Sequence, residues 1–189
     1  MLRDRQGYRK YLTPREREAF LIAAEKFDEN VATFALVLAY TGCRISEALE
    51  LTAGQIDSAE CAIVFRSLKK RRDDVFRAVP VPGDFIERLE RVHDLRNRQI
   101  SDQLWPKSRT TGWAYIKQVM AEAGVEGTHA SPKGLRHGFG VAATQKGIPL
   151  NIVQRWLGHA DISMTAIYAD AIGDEERALA SRLWSSPAA

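Results

Sequence analysis

Four short stretches of the sequence carry side chains that could together bind and attack a phosphate. They are residues 41–47, 68–72, 133–137 and 157–168. The first and third supply Arg44 and Arg136, and the second is a run of two lysines and two arginines. The fourth supplies His159 and, nine residues later, Tyr168. Guanidinium groups match the geometry of phosphate oxygens, lysine adds positive charge, and a phenol can act as a nucleophile.

The helix predicted to begin after Ser131 has an anion-binding pattern at its start. Ser131 is a suitable N-cap, and Pro132 fits the first helical position. Lys133 and Arg136 are three residues apart, so they share a face of this helix. Backbone donors and the helix dipole add to the side-chain charge there. Cations at a helix N-terminus oppose the dipole, which indicates a requirement other than helix stability.

Arg44 lies beside predicted core. It follows a helix of residues 31–40 that is apolar almost all round, which Gly42 ends, and it starts a helix that runs to about Leu51. A charge so close to the core needs a partner, and Glu47, one helical turn later, can supply it. An ordinary ion pair on the helix surface fits the sequence equally well.

A β-hairpin is predicted for residues 61–80, and a shorter strand near residues 55–57 would complete a small antiparallel sheet. The tip of the hairpin carries the basic run 69–72. A lysine there could reach a ligand lying over the sheet. Basic hairpin tips more commonly serve only solubility.

The rest of the chain is predicted to be helical. Thr13 begins the first helix with a capping box. Further helices are expected over residues 83–98, 109–123 and 174–184, with two short ones before and after His159; Asp161 is the expected N-cap of the second. Trp113 and two apolar residues at helical spacing after it, Ile116 and Met120, are predicted to face the core. The predicted class is mainly α with a small antiparallel β-sheet, an α+β fold.

The bulk composition fits a soluble globular protein. The chain has 189 residues, of which 45% are hydrophobic and 27% charged, and these values fit one folded domain. No apolar run is long enough to cross a membrane, and the start lacks a signal-peptide pattern. The two cysteines have no disulfide or metal-site spacing, so a reducing cytoplasm is expected. The four histidines also lack ligand spacing, so no metal is expected.

The positive charge is unevenly distributed. The net charge of the chain is only +3, yet residues 66–77 alone have a net charge of +4, as do residues 1–17. Clustered positive charge favours binding to a phosphate backbone. Such clusters are also common on solvated faces, so this feature alone decides little.

In this order and spacing, the four stretches resemble the catalytic domain of the tyrosine recombinases, the phage integrase family, from about Tyr11 to about Ala171. The resemblance implies the integrase catalytic fold and site-specific cleavage and rejoining of DNA through a 3′-phosphotyrosyl intermediate. It implies no metal, ATP or other cofactor. Because only a dozen residues precede Thr13, the chain is similar to short fimbrial-type DNA invertases, or it is a piece of a longer protein.

The resemblance also implies roles for the matching residues. Tyr168 would be the nucleophile, and Arg44 and Arg136 would clamp the scissile phosphate. His159 would hydrogen-bond the phosphate or the nucleophile. Glu47 would be a supporting carboxylate.

Two of the roles depart from the family pattern or are ambiguous. Lys69 is preferred over its neighbour Lys70 as the hairpin lysine that protonates the leaving 5′-hydroxyl. Lys133 stands where the family usually has a histidine, and lysine is a poorer proton acceptor near neutral pH. His137, next to Arg136, is ranked below His159 as a supporting residue.

The implied partners follow from the reaction. The resemblance implies that the partner is double-stranded DNA with a specific recombination site and that the protein forms a homotetramer on that DNA. It also allows accessory DNA-binding proteins as further partners. The expected DNA contacts are Lys70, Arg71, Arg72, Lys107, Arg109 and Lys117. The expected organisation is a basic N-terminal arm (1–12), the catalytic domain (13–173), and a C-terminal helix and tail (174–189) that could dock on a neighbouring protomer.

Two other functions are compatible with the same residues. A type IB topoisomerase uses similar chemistry as a monomer. A DNA-binding module could keep this fold and lack catalysis, but every matched position except Lys133 carries the usual residue, which favours an enzyme.

Overall fold

The computed structural model describes residues 2–66 and 76–168, which contain eight α-helices and one three-stranded sheet. The helices are α1 (Pro14–Ala24), α2 (Glu29–Thr41), α3 (Ile45–Leu49), α4 (Gly83–His93), α5 (Arg109–Glu122), α6 (Pro132–Gln145), α7 (Leu150–Leu157) and α8 (Ser163–Ala166). The strands are β1 (Ile56–Asp57), β2 (Ala62–Arg66) and β3 (Phe76–Pro80), and they are antiparallel in the order β1-β2-β3. This confirms the predicted class, mainly α with a small antiparallel sheet.

Helix α2 lies at the centre of the fold. Its N-terminus is capped by the Asp28 side chain, and nearly all its residues are buried. Gly42 ends it in the left-handed conformation, with φ of 61°. A Cβ at Gly42 would lie 2.6 Å from Cδ1 of Phe139, so both the backbone angle and the packing require glycine there.

The buried side chains form two clusters. The larger one lies around α2 and includes side chains of α1, α5 and the sheet. The smaller one contains Leu2, Phe139, Val141, Ala143, Val153, Leu157 and Tyr168. We call it the α6–α7 cluster. Tyr168 therefore belongs to a hydrophobic core and not to an exposed surface.

The basic N-terminal segment, predicted to be an arm over residues 1–12, packs against the domain from Leu2 onward. The Lys10 amide donates to the Leu2 carbonyl at 2.9 Å, which closes a short hairpin-like turn. The Leu2 side chain is buried in the α6–α7 cluster. The Leu12 amide donates to the Gly134 carbonyl at 3.3 Å, so the segment is tied to α6.

Three local predictions were wrong. The helix predicted for residues 83–98 ends at His93, because Asp94 adopts a left-handed conformation with φ of 48°. Trp113 was predicted to face the core, but it is 49% exposed. Helix α8 begins at Ser163 with Ile162, and not the predicted Asp161, as its N-cap, although the Asp161 carboxylate accepts from the Ser163 amide at 2.9 Å.

The basic run 69–72 and the predicted helix 174–184 lie outside the described residues. In the part of the chain that is described, no helix combines the length and the apolar composition that crossing a bilayer would require.

His93 is a titratable group buried within this fold. It is 5% exposed, and its Nε2 lies 3.2 Å from Oγ1 of Thr33. The Thr33 hydroxyl already donates to the Glu29 carbonyl at 2.6 Å, so it accepts from Nε2–H. Burial and the charge of Arg98 lower the pKa of His93 to about 4. His93 is therefore neutral at pH 7.

Stability should fall as the pH drops from 6.5 towards about 4. The unfolded chain takes up the His93 proton near its ordinary pKa, whereas the folded chain does so only near the lowered one, so acid favours unfolding in this window. His93→Gln should reduce the slope of unfolding free energy against pH by up to ~1.4 kcal/mol per pH unit. Urea unfolding across that window measures the slope. An unchanged slope in the variant would contradict the assignment.

Candidate active site

One cleft of about 550 Å³ gathers four of the predicted catalytic residues, namely Arg44, Lys133, Arg136 and His159. It lies where the starts of α3, α5 and α6 meet the turn after α7. The other lining residues are Ile45, Ser46, Arg109, Trp113, Ser131, Pro132, His137 and Met164. The predicted hairpin lysine, Lys69 or Lys70, lies outside the described residues.

Arg44 forms two hydrogen bonds with Glu47. The Arg44 amide donates to Oε2 of Glu47 at 2.7 Å, and Nη1 donates to Oε1 at 2.9 Å. The Arg44 side chain is 41% exposed, whereas that of Glu47 is only 1% exposed. The carboxylate is thus part of the core, and an ordinary ion pair on the helix surface does not describe this contact.

Arg77, on β3, also binds Glu47, and nothing in the sequence had marked it as a functional residue. Its Nη2 donates to Oε2 of Glu47 at 2.7 Å and its Nη1 to Oε1 at 3.3 Å. Burial would raise the pKa of the Glu47 carboxyl, but Arg77 and Arg44 together hold that pKa below its usual value. Glu47 is therefore a carboxylate at neutral pH. A charged residue at an inward position of a predicted strand was the available signal for Arg77.

Arg136 is buried at the back of the cleft and is 8% exposed. Its Nη1 donates to the Gly42 carbonyl and its Nη2 to the Leu157 carbonyl, each at 2.7 Å. Burial and the nearby charge of Arg44 lower the pKa of Arg136 to about 10, so it stays charged at neutral pH. Its hydrogen-bond partners among the described residues are backbone carbonyls and not a carboxylate. This cation therefore favours an anion in the cleft.

Tyr168 is buried beside the cleft and does not line it. It is 1% exposed, and its hydroxyl lies 3.0 Å from Nδ1 of His137. The His159 ring lies nearly parallel to the phenol ring, with 6.2 Å between centroids. Burial raises the pKa of Tyr168, although the charges of Arg136 and Arg44 oppose the rise. The phenol is therefore protonated at neutral pH.

His137 contacts the Tyr168 hydroxyl, although the sequence had ranked it below His159. Burial, with the charges of Lys133 and Arg136, lowers the pKa of His137 to about 4. The imidazole is then neutral at pH 7, and its Nδ1 can accept a hydrogen bond from the Tyr168 hydroxyl. Two histidines thus flank the phenol, and His137 lies within hydrogen-bond distance of its oxygen.

The position of His159 follows from the turn after α7. Gly158 ends that helix with φ of 64°, and the His159 amide donates to the Gln154 carbonyl at 3.1 Å. Nδ1 of His159 lies 2.9 Å from Oγ1 of the buried Thr165. Tyr168 follows α8 and is not on it, so the short helix spaces the tyrosine from the histidine turn.

The residues predicted to contact DNA lie in different parts of the structure, and some lie outside the described residues. Arg109 lines the cleft. Lys117 donates to the Ala130 carbonyl at 2.9 Å and lies 5.9 Å from the centre of the Trp113 ring. Lys107 is exposed but does not line the cleft. Lys70, Arg71 and Arg72 lie outside the described residues.

The four histidines contact different residues. His93 contacts Thr33, His129 contacts Glu16 and Arg9, His137 contacts Tyr168, and His159 contacts Thr165. Within residues 2–66 and 76–168, no group of three His, Cys, Asp or Glu side chains is arranged to hold one metal ion. Burial raises the pKa of the Cys43 thiol to about 12, so this thiol is protonated at neutral pH.

Gly140→Ala should displace Tyr168 from its buried position. Alanine usually stabilises a helix interior relative to glycine, but here the new Cβ would lie 2.6 Å from Cε2 and Cζ of Tyr168. Nitration of Tyr168 by tetranitromethane, measured by mass spectrometry, should therefore increase. Gly83→Ala is the matched control, because its Cβ would meet only the Cys61 sulfur at 3.5 Å. Equal protection of Tyr168 in both variants would contradict the packing.

Residues 10–173 match the phage integrase family. The tyrosine recombinase XerD of Pseudomonas aeruginosa is 34% identical over 175 residues, which are 84% of this chain and 56% of that protein. The chain spans about half the length of the curated relatives it matches.

Solved structures of recombinases share the fold. The crystal structure of XerA recombinase is 26% identical, with a TM-score of 0.77 over 94% of this chain and 66% of that one. The XerH site-specific recombinase bound to difH substrate has a TM-score of 0.73 at 21% identity, over 97% of this chain and 60% of that one.

Proposed function

The chain belongs to the phage integrase family, and on that premise we propose that it cleaves and rejoins double-stranded DNA at specific sites through Tyr168. The observation that carries this proposal is the convergence of Arg44, Arg136 and Lys133 on one cleft, with the phenol directly behind it. The similarity of the chain to the tyrosine recombinases XerD and XerA supports the same reaction.

The cleft is suited to the scissile phosphate. Arg136 presents its guanidinium from the floor of the cleft, and Arg44 presents one from its wall. Two guanidinium groups can contact both non-bridging oxygens and stabilise the charge that develops in the transition state. Lys133, exposed at the start of α6, adds a third cation.

The proposed reaction exchanges one phosphate ester for another. The Tyr168 oxygen attacks phosphorus, the bond from phosphorus to the 5′ oxygen breaks, and DNA is left joined to the enzyme by a 3′-phosphotyrosyl ester. The phenol proton leaves to a base, and the 5′ oxygen takes a proton from an acid, for which we propose Lys69. Rejoining is the reverse reaction, in which a 5′-hydroxyl attacks the phosphotyrosyl ester.

We propose His137 as the group that accepts the phenol hydrogen bond before the attack. It is neutral at pH 7 and lies 3.0 Å from the phenol oxygen. Lysine side chains in general are poorer proton acceptors near neutral pH. Lys133 then contributes charge to the phosphate site and not basicity. Because Tyr168 does not line the cleft in this structure, it must move towards the phosphate before the bond can form.

The assembly and its surroundings are further proposals. Exchange between two duplexes needs four strand cleavages, and one tyrosine per protomer supplies them in a homotetramer. We propose residues 13–173 as the catalytic domain, residues 1–12 as a basic segment preceding it, and residues 174–189 as a tail that docks on a neighbouring protomer. We place the activity in the cytoplasm, because the two free cysteines, Cys43 and Cys61, fit a reducing compartment.

Tyr168→Phe should bind DNA but form no covalent product, because it lacks the attacking oxygen. A pool of nicked duplexes with randomised sequence can be incubated with the protein, and the strands that stay protein-bound in denaturant can be sequenced. The nick lets the leaving fragment diffuse away, so the covalent product accumulates. Tyr115→Phe is the matched control and should trap DNA like the wild type. Trapping by Tyr168→Phe would refute the assignment.

Arg44→Ala and Arg136→Ala should each slow cleavage on the order of a hundredfold or more, as loss of a transition-state charge partner implies. The measurement is the single-turnover rate of covalent trapping on a selected substrate. Arg88→Ala is the matched control, because Arg88 pairs with Glu25 and Glu29 and does not line the cleft. A variant that cleaves at the wild-type rate would remove that arginine from the site.

A further inference from the structure

Arg77 is a buried cation whose contacts lead to the cleft. It lies on β3 and is 8% exposed. Its Nε donates to the Trp156 carbonyl at 2.8 Å, and its guanidinium carbon lies 4.9 Å from the centre of the Phe65 ring. Its two Nη atoms donate to Glu47. The contacts with Trp156, Phe65 and Glu47 together fix the orientation of the guanidinium plane.

The Glu47 carboxylate receives four hydrogen bonds. Arg77 and Arg44 each donate one to Oε1, and the Arg77 guanidinium and the Arg44 amide each donate one to Oε2. Four is the number that a carboxylate can accept. With every acceptor position occupied, Glu47 has a single orientation. Loss of Arg77 would leave one acceptor position open on each oxygen of a buried carboxylate, and the orientation of Glu47 would then depend on the two bonds from Arg44 alone.

Arg44 depends on that orientation. Its side chain is 41% exposed, and a long exposed arginine otherwise samples many rotamers. Among the described residues, Glu47 is the side chain that hydrogen-bonds its guanidinium. The direction in which Arg44 points into the cleft is therefore set by a carboxylate that Arg77 orients.

Arg77 also contacts the turn after α7, but these contacts affect the cleft less directly than its bonds to Glu47 do. The Trp156 carbonyl belongs to the last turn of that helix, and a Cβ at Gly158 would lie 3.0 Å from Nη1 of Arg77. Gly158 thus leaves room for the guanidinium. These contacts anchor Arg77 itself, whereas its bonds to Glu47 transmit its position to the cleft.

Resting on the proposed function, we infer that Arg77 is a positioning residue for DNA cleavage: through Glu47 it holds the Arg44 guanidinium against the scissile phosphate. A purely structural role explains the geometry less well. A buried ion pair loses hydration, and replacing it with apolar side chains is often neutral or stabilising, so stability alone does not require these charges. Beyond any effect on stability, these ion pairs fix the orientation of the Arg44 side chain.

The test is a double-mutant cycle on the rate of covalent trapping. Arg77→Lys keeps the charge but cannot reach Glu47 with two donors and Trp156 with a third. It should slow trapping about tenfold or more when Arg44 is present, since small misplacements of a catalytic group have effects of this size. In an Arg44→Ala background the same change should have almost no further effect, because the group that Arg77 positions is absent.

Arg88→Lys is the matched control. Arg88 also binds two carboxylates, those of Glu25 and Glu29, away from the cleft lining, so its replacement should leave the rate unchanged in both backgrounds. If Arg77→Lys does not give a cooperative thermal transition, the neutral pair Glu47→Gln with Arg77→Gln takes its place in the same cycle. That pair leaves no uncompensated buried charge.

The outcomes separate the two proposals. An equal loss in both backgrounds would mean a structural role and would overturn the inference, as would wild-type trapping by Arg77→Lys. Loss only in the presence of Arg44 supports it. If the wild-type chain binds DNA and never traps it, the proposed function fails first, and the positioning role falls with it.

Discussion

The arrangement of the cleft depends on how the fold accommodates buried guanidinium groups. An unpaired buried charge is costly, and a carboxylate beside each arginine would neutralise the field that attracts a phosphate. The fold uses the ends of helices instead. Arg136 bonds the Gly42 carbonyl at the end of α2 and the Leu157 carbonyl at the end of α7. Helix C-termini carry unsatisfied carbonyls and partial negative charge, so they stabilise a cation without a full counter-charge.

This use of helix ends explains two of the glycines. Gly42 and Gly158 each end a helix in the left-handed conformation, which turns the chain away and leaves the last carbonyls accessible. A Cβ at Gly42 would lie 2.6 Å from Phe139, and a Cβ at Gly158 would lie 3.0 Å from Arg77. At both glycines, therefore, the end of a helix lies beside an arginine and a side chain packs closely against the glycine. Glu47 supplies a full negative charge, and two arginines share it.

Tyr168, the proposed nucleophile, is buried apart from the arginines that line the cleft. Tyr168 packs in the α6–α7 cluster with Gly140 against its ring, and burial keeps its phenol protonated. The hydroxyl bonds a neutral His137, so neither partner carries charge inside the cluster. With the arginines already in the cleft, the proposed reaction requires Tyr168 to move towards them.

Local patterns in the sequence predicted most of the described helices and some of the contacts in the candidate site. The capping box at Thr13, the start of α6 at Pro132 and the Arg44–Glu47 pair all involve residues within four positions of each other. Periodicity could not tell which face of α5 is covered, and so it misassigned Trp113, which lies in the cleft.

Contacts across the chain were beyond such patterns. Arg77 meets a carboxylate 30 residues away, and His137 meets a phenol 31 residues away. The contacts of β3 with α7 and α3, and of α6 with the segment after α8, bring these groups together. The end of α4 at Asp94 rests on a left-handed backbone at a non-glycine residue, which composition alone rarely indicates.

The most direct measurement is to identify the amino acid that carries the trapped strand. Wild-type protein joined to a selected substrate would be digested with nuclease and protease, and the modified peptide sequenced by mass spectrometry. The account predicts a nucleotide joined through phosphate to Tyr168. A nucleotide on Tyr115 or any other residue, or intact DNA bound without any linkage, would contradict it.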